Sequence, residues 1–251
     1  MISLLPHNNK PLDVIAIAAH PDDAEIGCGG ILAKLADEGK RVGIIDLTDG
    51  EPTPFTINPE ERIEEAKQSA LRLGIHVRDI LELPNRKLFD SFEARIALAE
   101  RFRTYKPKII LSQYGLTPHD SPDHYQAQLI TEGALFYSRL SKWDDYFNNL
   151  PVHRIWTLFY YATLRENPNP ELSGMSKVLL DITNHFIVKK ESLMCYKSQF
   201  RADPTNQGVI PWIEIMGKYY GKEINKEFAE VLFSPKGIEL SNLDFWLGTQ
   251  L

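Results

Sequence analysis

Apolar runs and amphipathic stretches alternate along the chain as far as residue 139. The apolar runs are short and continuous, which is typical of strands covered on both faces. The stretches between them carry apolar residues at helical spacing and end at Gly or before Pro. The pattern predicts strands over Val14–Ala19, Val42–Leu47, Ile80–Leu83 and Ile109–Ser112, and helices over Ile26–Glu38, Pro59–Leu73, Ser91–Tyr105 and Tyr125–Tyr137.

Strands that alternate with helices indicate a parallel sheet with right-handed crossovers. Numbered along the chain, the strands are expected in the order 3-2-1-4-5, with Ile155–Ala162 as the fifth. We therefore predict one α/β domain over residues 1–251, a Rossmann-like three-layer sandwich with helices on both faces of a mostly parallel sheet. Beyond residue 139 the weaker pattern predicts strands at Val178–Leu180 and Glu227–Phe233 and helices at Asn184–Gln199 and Trp212–Tyr220.

Polar side chains follow the first and fourth predicted strands. His20, Asp22 and Asp23 come directly after the first, and Asp123 and His124 end the loop after the fourth. In the predicted order these two strands lie side by side, and a crevice opens at their carboxyl ends. The two imidazoles with the carboxylate of Asp23 form a ligand set that suits Zn²⁺ and also fits Fe²⁺ or Co²⁺.

The other two carboxylates have separate predicted roles. Asp22 is not needed as a ligand, so it is the candidate general base that takes a proton from water. Asp123 is a candidate to orient an imidazole by hydrogen bonding. Taken singly, the first motif could be a turn with Asp at a helix N-terminus, and Asp123 with His124 could be a solvated loop. Their placement after neighbouring strands favours one metal site, and with it a hydrolase that activates water.

Composition narrows the class of protein and its partners. The chain has 251 residues, of which 43% are hydrophobic, enough for one large core. The net charge is -6 and Lys and Arg are scattered, so neither nucleic acid nor an anionic membrane is an expected partner. No apolar run reaches the roughly 20 residues of a membrane span, and the N-terminus lacks the pattern of a signal peptide. Cys28 and Cys195 form no ligand spacing, so we expect a reduced, cytoplasmic protein.

Several short motifs resemble those of a known family. The run from Ala19 to Asp23, with Glu25 and the glycines after it, resembles the opening metal motif of the PIG-L/LmbE-like zinc-dependent N-deacetylases. Further similarity lies in Asp46–Glu51, Arg62 with Glu64 and Glu65, Pro122–His124, Tyr196–Phe200 and Phe228–Glu230. The last two segments are most similar to the bacillithiol-pathway branch, which acts on N-acetylglucosaminyl-malate.

The resemblance implies hydrolysis of an N-acetyl group, usually on glucosamine, to a free amine and acetate. It assigns zinc binding to His20, Asp23 and His124, and activation of water to Asp22. It also places Glu51 and Arg62 near the sugar. A small amino-sugar substrate is the implied partner, together with further copies of the chain, because members of the family are often trimers or hexamers.

Three positions differ from the family's pattern. Ser121 stands where the family usually has a His that steadies the oxyanion or protonates the leaving amine, and His119 lies two residues earlier; both are candidates for that catalytic role. Asn85 stands at a turn that often supplies an Asp to the sugar, so it is a candidate substrate-binding residue. Asp49 stands where the bacillithiol branch often has a basic residue, and it would repel malate. These differences leave the zinc site intact and the substrate open.

Three functions remain open on the sequence. The first is deacetylation of an amino-sugar compound, or of a non-sugar amide. The second is a nucleotide-dependent enzyme, for which the Gly27–Gly30 segment and Asp46 would be the features. The segment is neither GxGxxG nor a Walker motif, so close backbone approach at a helix start is the preferred interpretation, and the carboxylates of the first loop would repel phosphates. The third is a metal-binding protein of the same fold that has lost catalysis, which Ser121 suggests. Asp22 argues against the third, because a structural metal site needs no base.

Overall fold

A single eight-stranded mixed sheet runs through the protein, as described by a computed structural model over residues 1–5, 10–56, 58–115, 120–163, 174–201 and 206–239. The strands are β1 (Ile2–Ser3), β2 (Val14–Ala18), β3 (Val42–Asp46), β4 (Val77–Ile80), β5 (Ile109–Gln113), β6 (Thr157–Tyr161), β7 (Ser176–Asp181) and β8 (Ala229–Ser234). The helices are α1 (Asp23–Asp37), α2 (Pro59–Leu73), α3 (Phe92–Tyr105), α4 (Pro122–Tyr137), α5 (Phe186–Leu193), α6 (Lys197–Phe200) and α7 (Val209–Glu223).

The sheet order is β1-β4-β3-β2-β5-β6-β8-β7. It differs from the predicted order 3-2-1-4-5 by three additional edge strands, whereas the five predicted strands are neighbours in the predicted order, as β4-β3-β2-β5-β6. Strands β4, β3, β2, β5 and β6 are parallel, and β1 pairs antiparallel with β4 at one edge. At the other edge β8 pairs antiparallel with β6, and β7 pairs antiparallel with β8. The sequence missed the first edge because β1 has only two residues. Strands β2 and β5 pair directly, as expected, so the loops after them start side by side.

Both faces of the sheet are covered, which explains the unbroken apolar run of β2. Val14, Ala16 and Ala18 pack into a core with α1, α2 and α5. Ile15 and Ile17 point to the opposite side, into a second core with α3 and α4. The protein is therefore an α/β sandwich of three layers with helices on both faces of a mostly parallel sheet.

Helix α4 starts earlier than the sequence pattern predicts. Ser121 is its N-cap and accepts a hydrogen bond from the backbone N–H of Asp123 at 3.3 Å, and Pro122 occupies the first turn. The predicted start at Tyr125 was three residues late because apolar spacing alone does not reveal the cap. Asp123 and His124 consequently lie on the rigid first turn of a helix rather than in a loop.

Other predicted elements also differ in their bounds: α1 begins at Asp23 rather than Ile26, and α7 spans Val209–Glu223 rather than Trp212–Tyr220. Strand β4 spans Val77–Ile80, whereas the sequence predicted this strand at Ile80–Leu83. The bounds differ because Arg78 and Asp79 interrupt the apolar pattern, although both residues are fully buried. The predicted helix over Asn184–Gln199 is divided into a 3₁₀ turn, α5 and α6, and Tyr196 lies between the two α-helices. Among the described residues, none of the helices has the length and apolar character needed to cross a membrane.

Candidate metal centre

Three side chains meet at the carboxyl edge of β2 and β5. His20 lies in the turn after β2, Asp23 is the first residue of α1, and His124 is on the first turn of α4. Their ligating atoms all lie within 4.8 Å of one another. The two imidazole rings are 5.4 Å apart between centroids, which is close enough for both to bind one ion. The pairing of β2 with β5 is what brings together residues separated by about a hundred positions in the chain.

The carboxylate of Asp23 lies between the two imidazoles. Its Oδ2 is 3.2 Å from His20 Nδ1, and its Oδ1 is 3.4 Å from His124 Nε2. The backbone N–H of His20 also donates to Asp23 Oδ2 at 2.9 Å, which closes the turn and holds the carboxylate in place. Two nitrogen atoms and one oxygen atom therefore converge from three different segments.

Each imidazole has a second carboxylate on its far nitrogen. Asp123 Oδ2 lies 3.3 Å from His20 Nε2, and Asp120 Oδ2 lies 3.1 Å from His124 Nδ1. Carboxylates in this position fix the tautomer and orientation of metal-binding imidazoles. The sequence predicted such a role for Asp123 and missed Asp120, which lies just before the N-cap of α4, four residues ahead of His124.

Asp123 also ties the site to the loop after β4. Its oxygens accept hydrogen bonds from the backbone N–H groups of Arg86 at 2.6 Å and Leu88 at 3.3 Å. Asn85, the predicted substrate-binding residue, is in this loop, and its Oδ1 is buried without a hydrogen-bond partner among the described residues. A movement of this loop would therefore shift Asp123 and, through it, the imidazole of His20.

The carboxylates create a field that favours a cation at this position. Burial lowers the pKa of His20, but hydrogen bonds to Asp123 and Asp23 outweigh it and raise that pKa to about 9. For His124 the charge of Asp23 and the hydrogen bond to Asp120 likewise outweigh burial and raise the pKa to about 10. Burial raises the pKa of Asp23, but the two imidazoles hold it well below its usual range. A divalent cation would take the place of the protons that this field attracts.

Asp22 has a different partner from the three converging side chains. Its backbone adopts φ 117°, a strained conformation for a non-glycine residue that is often found at functional sites. The carboxylate accepts a hydrogen bond from Arg62 Nη2 at 2.9 Å, and the same guanidinium group donates to the carbonyl of Pro21. Burial raises the pKa of Asp22 to about 7, against the opposing charge of Arg62. The turn thus places one carboxylate between the two imidazoles and its neighbour against the guanidinium group of Arg62.

Arg62 is held beneath the site by residues far apart in the chain. Its guanidinium carbon lies 5.0 Å from the ring centroid of Tyr196, and only 2% of the residue is exposed. Its Nε and Nη1 atoms have no hydrogen-bond partner among the described residues. Glu51 is buried nearby and its charge acts on Arg62. A Cβ atom on Gly50 would lie 3.4 Å from Arg62 Nε, which places the turn that carries Glu51 against the site.

Buried polar atoms without partners among the described residues gather around this edge of the sheet. They include Glu25 Oε2, Arg62 Nε and Nη1, Asn85 Oδ1 and Gln113 Nε2. Such atoms are rare in folded proteins and call for a bound ion, water or ligand. The residues present therefore fit a divalent metal ion with polar groups of a ligand beside it.

The sequence analysis missed a buried ionic network next to the candidate metal ligands His20, Asp23 and His124, which are called the metal residues below. Arg78 on β4 binds Asp46 on β3 through two hydrogen bonds of 2.7 and 3.1 Å, and donates to Glu25 Oε1 at 2.6 Å. Ser69 and Tyr196 donate to the same oxygen of Glu25, each at 2.6 Å. Arg78, Asp46 and Glu25 are fully buried. The only signal in the sequence is the pair of charged residues inside an otherwise apolar strand.

The structure leaves two predicted catalytic residues in different situations. Ser121 is half-buried at the N-cap of α4, three residues before His124. Its hydroxyl accepts the Asp123 N–H, and among the described residues it donates to no acceptor. His119 lies outside the described residues.

Comparison with known proteins shows the family to which the chain belongs. A model of the family PIG-L, GlcNAc-PI de-N-acetylase, matches residues 15–135, a range that includes His20, Asp23 and His124. Diacetylchitobiose deacetylase of Thermococcus kodakarensis is 29% identical over 92% of this chain and 88% of its own length. The uncharacterized deacetylase YaiS of Escherichia coli is 30% identical over 51% of this chain and 72% of its own length.

A solved structure extends the similarity to the fold. The conserved protein TT1542 of Thermus thermophilus is 29% identical and superposes with a TM-score of 0.76, covering 91% of this chain and 97% of that one. The match of the family model to both metal motifs, together with relatives named as deacetylases, confirms the resemblance found in the sequence. The chain belongs to the PIG-L family of deacetylases.

Proposed function

We propose that this protein is a metal-dependent hydrolase that removes the acetyl group from an N-acetylglucosamine-containing small molecule. The observation that carries the proposal is the convergence of His20, Asp23 and His124 within 4.8 Å, with Asp22 next to Asp23 in the turn and hydrogen-bonded to Arg62. The names of the relatives support the reaction, because diacetylchitobiose deacetylase spans most of this chain. Zinc is the proposed ion, with Fe²⁺ or Co²⁺ as alternatives.

Three protein ligands leave an open position, as catalytic zinc sites require. When bound, the ion would polarise the acetyl carbonyl and lower the pKa of water. Asp22 then takes the proton from the attacking water, and its pKa of about 7 suits a general base at neutral pH. Arg62 holds the Asp22 carboxylate in one orientation through the 2.9 Å hydrogen bond. The proton held by Asp22 can return to the departing amine.

A second catalytic group would stabilise the negative charge on the acetyl oxygen or protonate the amine. Ser121 is proposed for this role because its hydroxyl stands at the start of α4, on the same turn as His124. His119 is the alternative, two residues earlier in the chain. Arg62, Glu51 and Asn85 are proposed to bind sugar hydroxyl groups, since Arg62 and Asn85 have buried polar atoms without partners among the described residues and Glu51 lies beside Arg62.

The charges beside the site favour an uncharged substituent on the sugar. Asp49 is half-buried in the turn that packs against Pro21 and Arg62, and its Oδ1 accepts the N–H of Glu51 at 3.0 Å. The Arg62 guanidinium group already pairs with Asp22, and this turn adds the carboxylates of Asp49 and Glu51, so an anionic group such as malate is disfavoured. We propose a neutral N-acetylglucosamine compound as the substrate, and a cytoplasmic homo-oligomer, trimeric or hexameric, as the assembly that acts on it.

The remaining alternatives have less support. A nucleotide-dependent enzyme would need free backbone N–H groups in the glycine-rich segment. The N–H groups of Gly30 and Ile31 instead donate to the carboxylate of Glu230, at 3.0 and 2.7 Å. A metal-binding protein without catalysis would not need the strained backbone of Asp22 or its guanidinium partner Arg62, and both features are present.

The proposal is tested by measuring metal content and acetate release together. We expect one divalent ion per chain, acetate release from N,N′-diacetylchitobiose and related neutral compounds, loss of activity on chelation, and recovery with Zn²⁺ or Co²⁺. Anionic N-acetylglucosaminyl-malate should be the poorer substrate. Metal binding without acetate release from a broad panel of N-acetyl sugars and non-sugar amides would favour the non-catalytic alternative.

The carboxylates behind the imidazoles provide a further prediction. Asp123→Asn removes the negative charge of the carboxylate that lies beside His20 Nε2, while the side chain keeps a similar shape. Metal affinity should therefore fall about 10–100-fold. Metal affinity is measured by competition with a chromogenic chelator. Asp144→Asn, on an exposed 3₁₀ turn, is the control and should bind the metal like the native protein. Equal affinities of the two variants would contradict the assigned role of Asp123.

A further inference from the structure

Helix α1 is broken in the middle, directly behind the metal residues. Cys28 has φ -144° and ψ 19°, outside the helical range, so the helix consists of two pieces. The first piece begins with Asp23 and carries Glu25, and the second continues into the core of the protein. A break leaves carbonyl groups at the end of the first piece and N–H groups at the start of the second without helical partners.

A buried ion pair from the C-terminal half of the chain binds both sides of this break. Lys189 Nζ donates to the carbonyl of Ile26 at 2.7 Å and to Glu230 Oε1 at 2.5 Å. Glu230 in turn accepts the N–H groups of Gly30 at 3.0 Å and Ile31 at 2.7 Å. Lys189 and Glu230 are 3% and 4% exposed. Each side chain hydrogen-bonds to backbone groups that the break would otherwise leave unpaired: Lys189 to a carbonyl before it, and Glu230 to N–H groups after it.

The glycines of this segment are explained by close packing at the break. A Cβ atom on Gly27 would lie 2.1 Å from Tyr161 Cδ2, and one on Gly30 would lie 2.6 Å from Ile182 Cδ1. The hydroxyl of Tyr161 donates to the carbonyl of Ile17 on β2, which fixes the ring behind the metal residues. The first piece of α1 is therefore wedged between β6 and the Lys189–Glu230 pair, and its direction depends on both.

We propose that Lys189 and Glu230 are positioning residues for the metal centre: the pair sets the angle at the break in α1 and thereby holds Asp23 between His20 and His124. Lys189 lies on α5 and Glu230 on β8, so the C-terminal half of the chain takes part in building a site whose ligands are all in the first half. The inference rests on the proposed function, because metal binding is its readout.

Three variants test the pair in the full-length protein. Glu230→Gln keeps the shape and one acceptor but leaves the Lys189 ammonium buried without its counter-charge. Lys189→Met removes the donor to Ile26, and the double variant removes both charges and so avoids an unpaired buried ion. Phe102→Leu, in the core on the opposite face of the sheet, is the control for a general loss of stability.

We expect each pair variant to weaken Zn²⁺ affinity by about tenfold or more. The absorption bands of the Co²⁺-loaded protein should shift, and backbone amide exchange should accelerate over residues 23–31 in the absence of metal. Phe102→Leu should lower the melting temperature while affinity, Co²⁺ bands and exchange in α1 stay as in the native protein.

Native affinity, native Co²⁺ bands and native exchange in the double variant would overturn the inference. Weaker affinity in Phe102→Leu of the same size would also overturn it, because the effect would then be one of stability alone. If the native protein binds no metal, the proposed function fails, and amide exchange in α1 still decides whether the pair holds the break.

Discussion

Replacing Asp22 by Asn should lower the rate of acetate release by about 10²–10⁴-fold, the range that positioned general acid–base groups contribute. The change removes the proposed proton acceptor but keeps the shape of the side chain, and it leaves the proposed ligands His20, Asp23 and His124 untouched. The measurement is kcat on N,N′-diacetylchitobiose at saturating Zn²⁺, with metal content determined on the same samples. The loss should appear in kcat with the metal still bound.

The control for Asp22→Asn is Asp37→Asn, at the far end of the same helix α1. That variant should release acetate at the native rate, because Asp37 is exposed and remote from the strand edge that carries the metal residues. An Asp22→Asn protein that keeps both its metal and native kcat would show that another group takes the proton from water. Loss of metal in Asp22→Asn would instead assign Asp22 to the ligand set.

Replacing Arg78 by Met should destabilise the protein by about 3–5 kcal/mol, the usual cost of breaking a buried ion pair by removing one partner. Glu25 and Asp46 would be left fully buried without the guanidinium group that binds both. Burial already raises the pKa of Asp46 to about 6 despite the charge of Arg78. The free energy of unfolding is measured by urea titration.

Two further variants serve as controls for Arg78→Met. Arg78→Lys keeps the charge but loses the two-pronged hydrogen bond to Asp46, so its loss of stability should be smaller than that of Arg78→Met. Arg72→Met breaks a half-exposed pair with Glu191 and should change the free energy of unfolding by no more than about 1 kcal/mol. Equal losses in Arg78→Met and Arg72→Met would mean that the buried network contributes little to stability.

The parts of the fold that follow from hydrophobic patterning could be predicted from the sequence. Strand β2 is apolar on both faces because helices cover both sides of the sheet, so its run is unbroken. Strand β4 is also buried on both faces, but its sequence is not a continuous apolar run, because Arg78 and Asp79 are buried with their partners. A buried charge looks like a surface charge until its partner is known, and this explains the shifted bounds of β4. Strand β1, with two residues, carries no pattern at all.

The candidate site divides in the same way. His20, Asp23 and His124 were predictable because they follow two strands that a doubly wound sheet places side by side. Asp120 and the Lys189–Glu230 pair were not, because their roles depend on the direction of side chains in the folded protein. For the glycines of the Gly27–Gly30 segment the sequence favoured close packing at a helix start over phosphate binding. The structure agrees, because a Cβ atom on Gly27 or Gly30 would clash with a neighbouring side chain and the N–H of Gly30 donates to Glu230.

A crystal of the metal-loaded protein, measured with X-rays on both sides of the zinc absorption edge, addresses the metal centre most directly. We expect one strong anomalous peak within bonding distance of His20 Nδ1, an Asp23 carboxylate oxygen and His124 Nε2, with Asp22 outside the bonded set. An ion bound elsewhere, or imidazoles of His20 and His124 that do not share it, would contradict the proposed site.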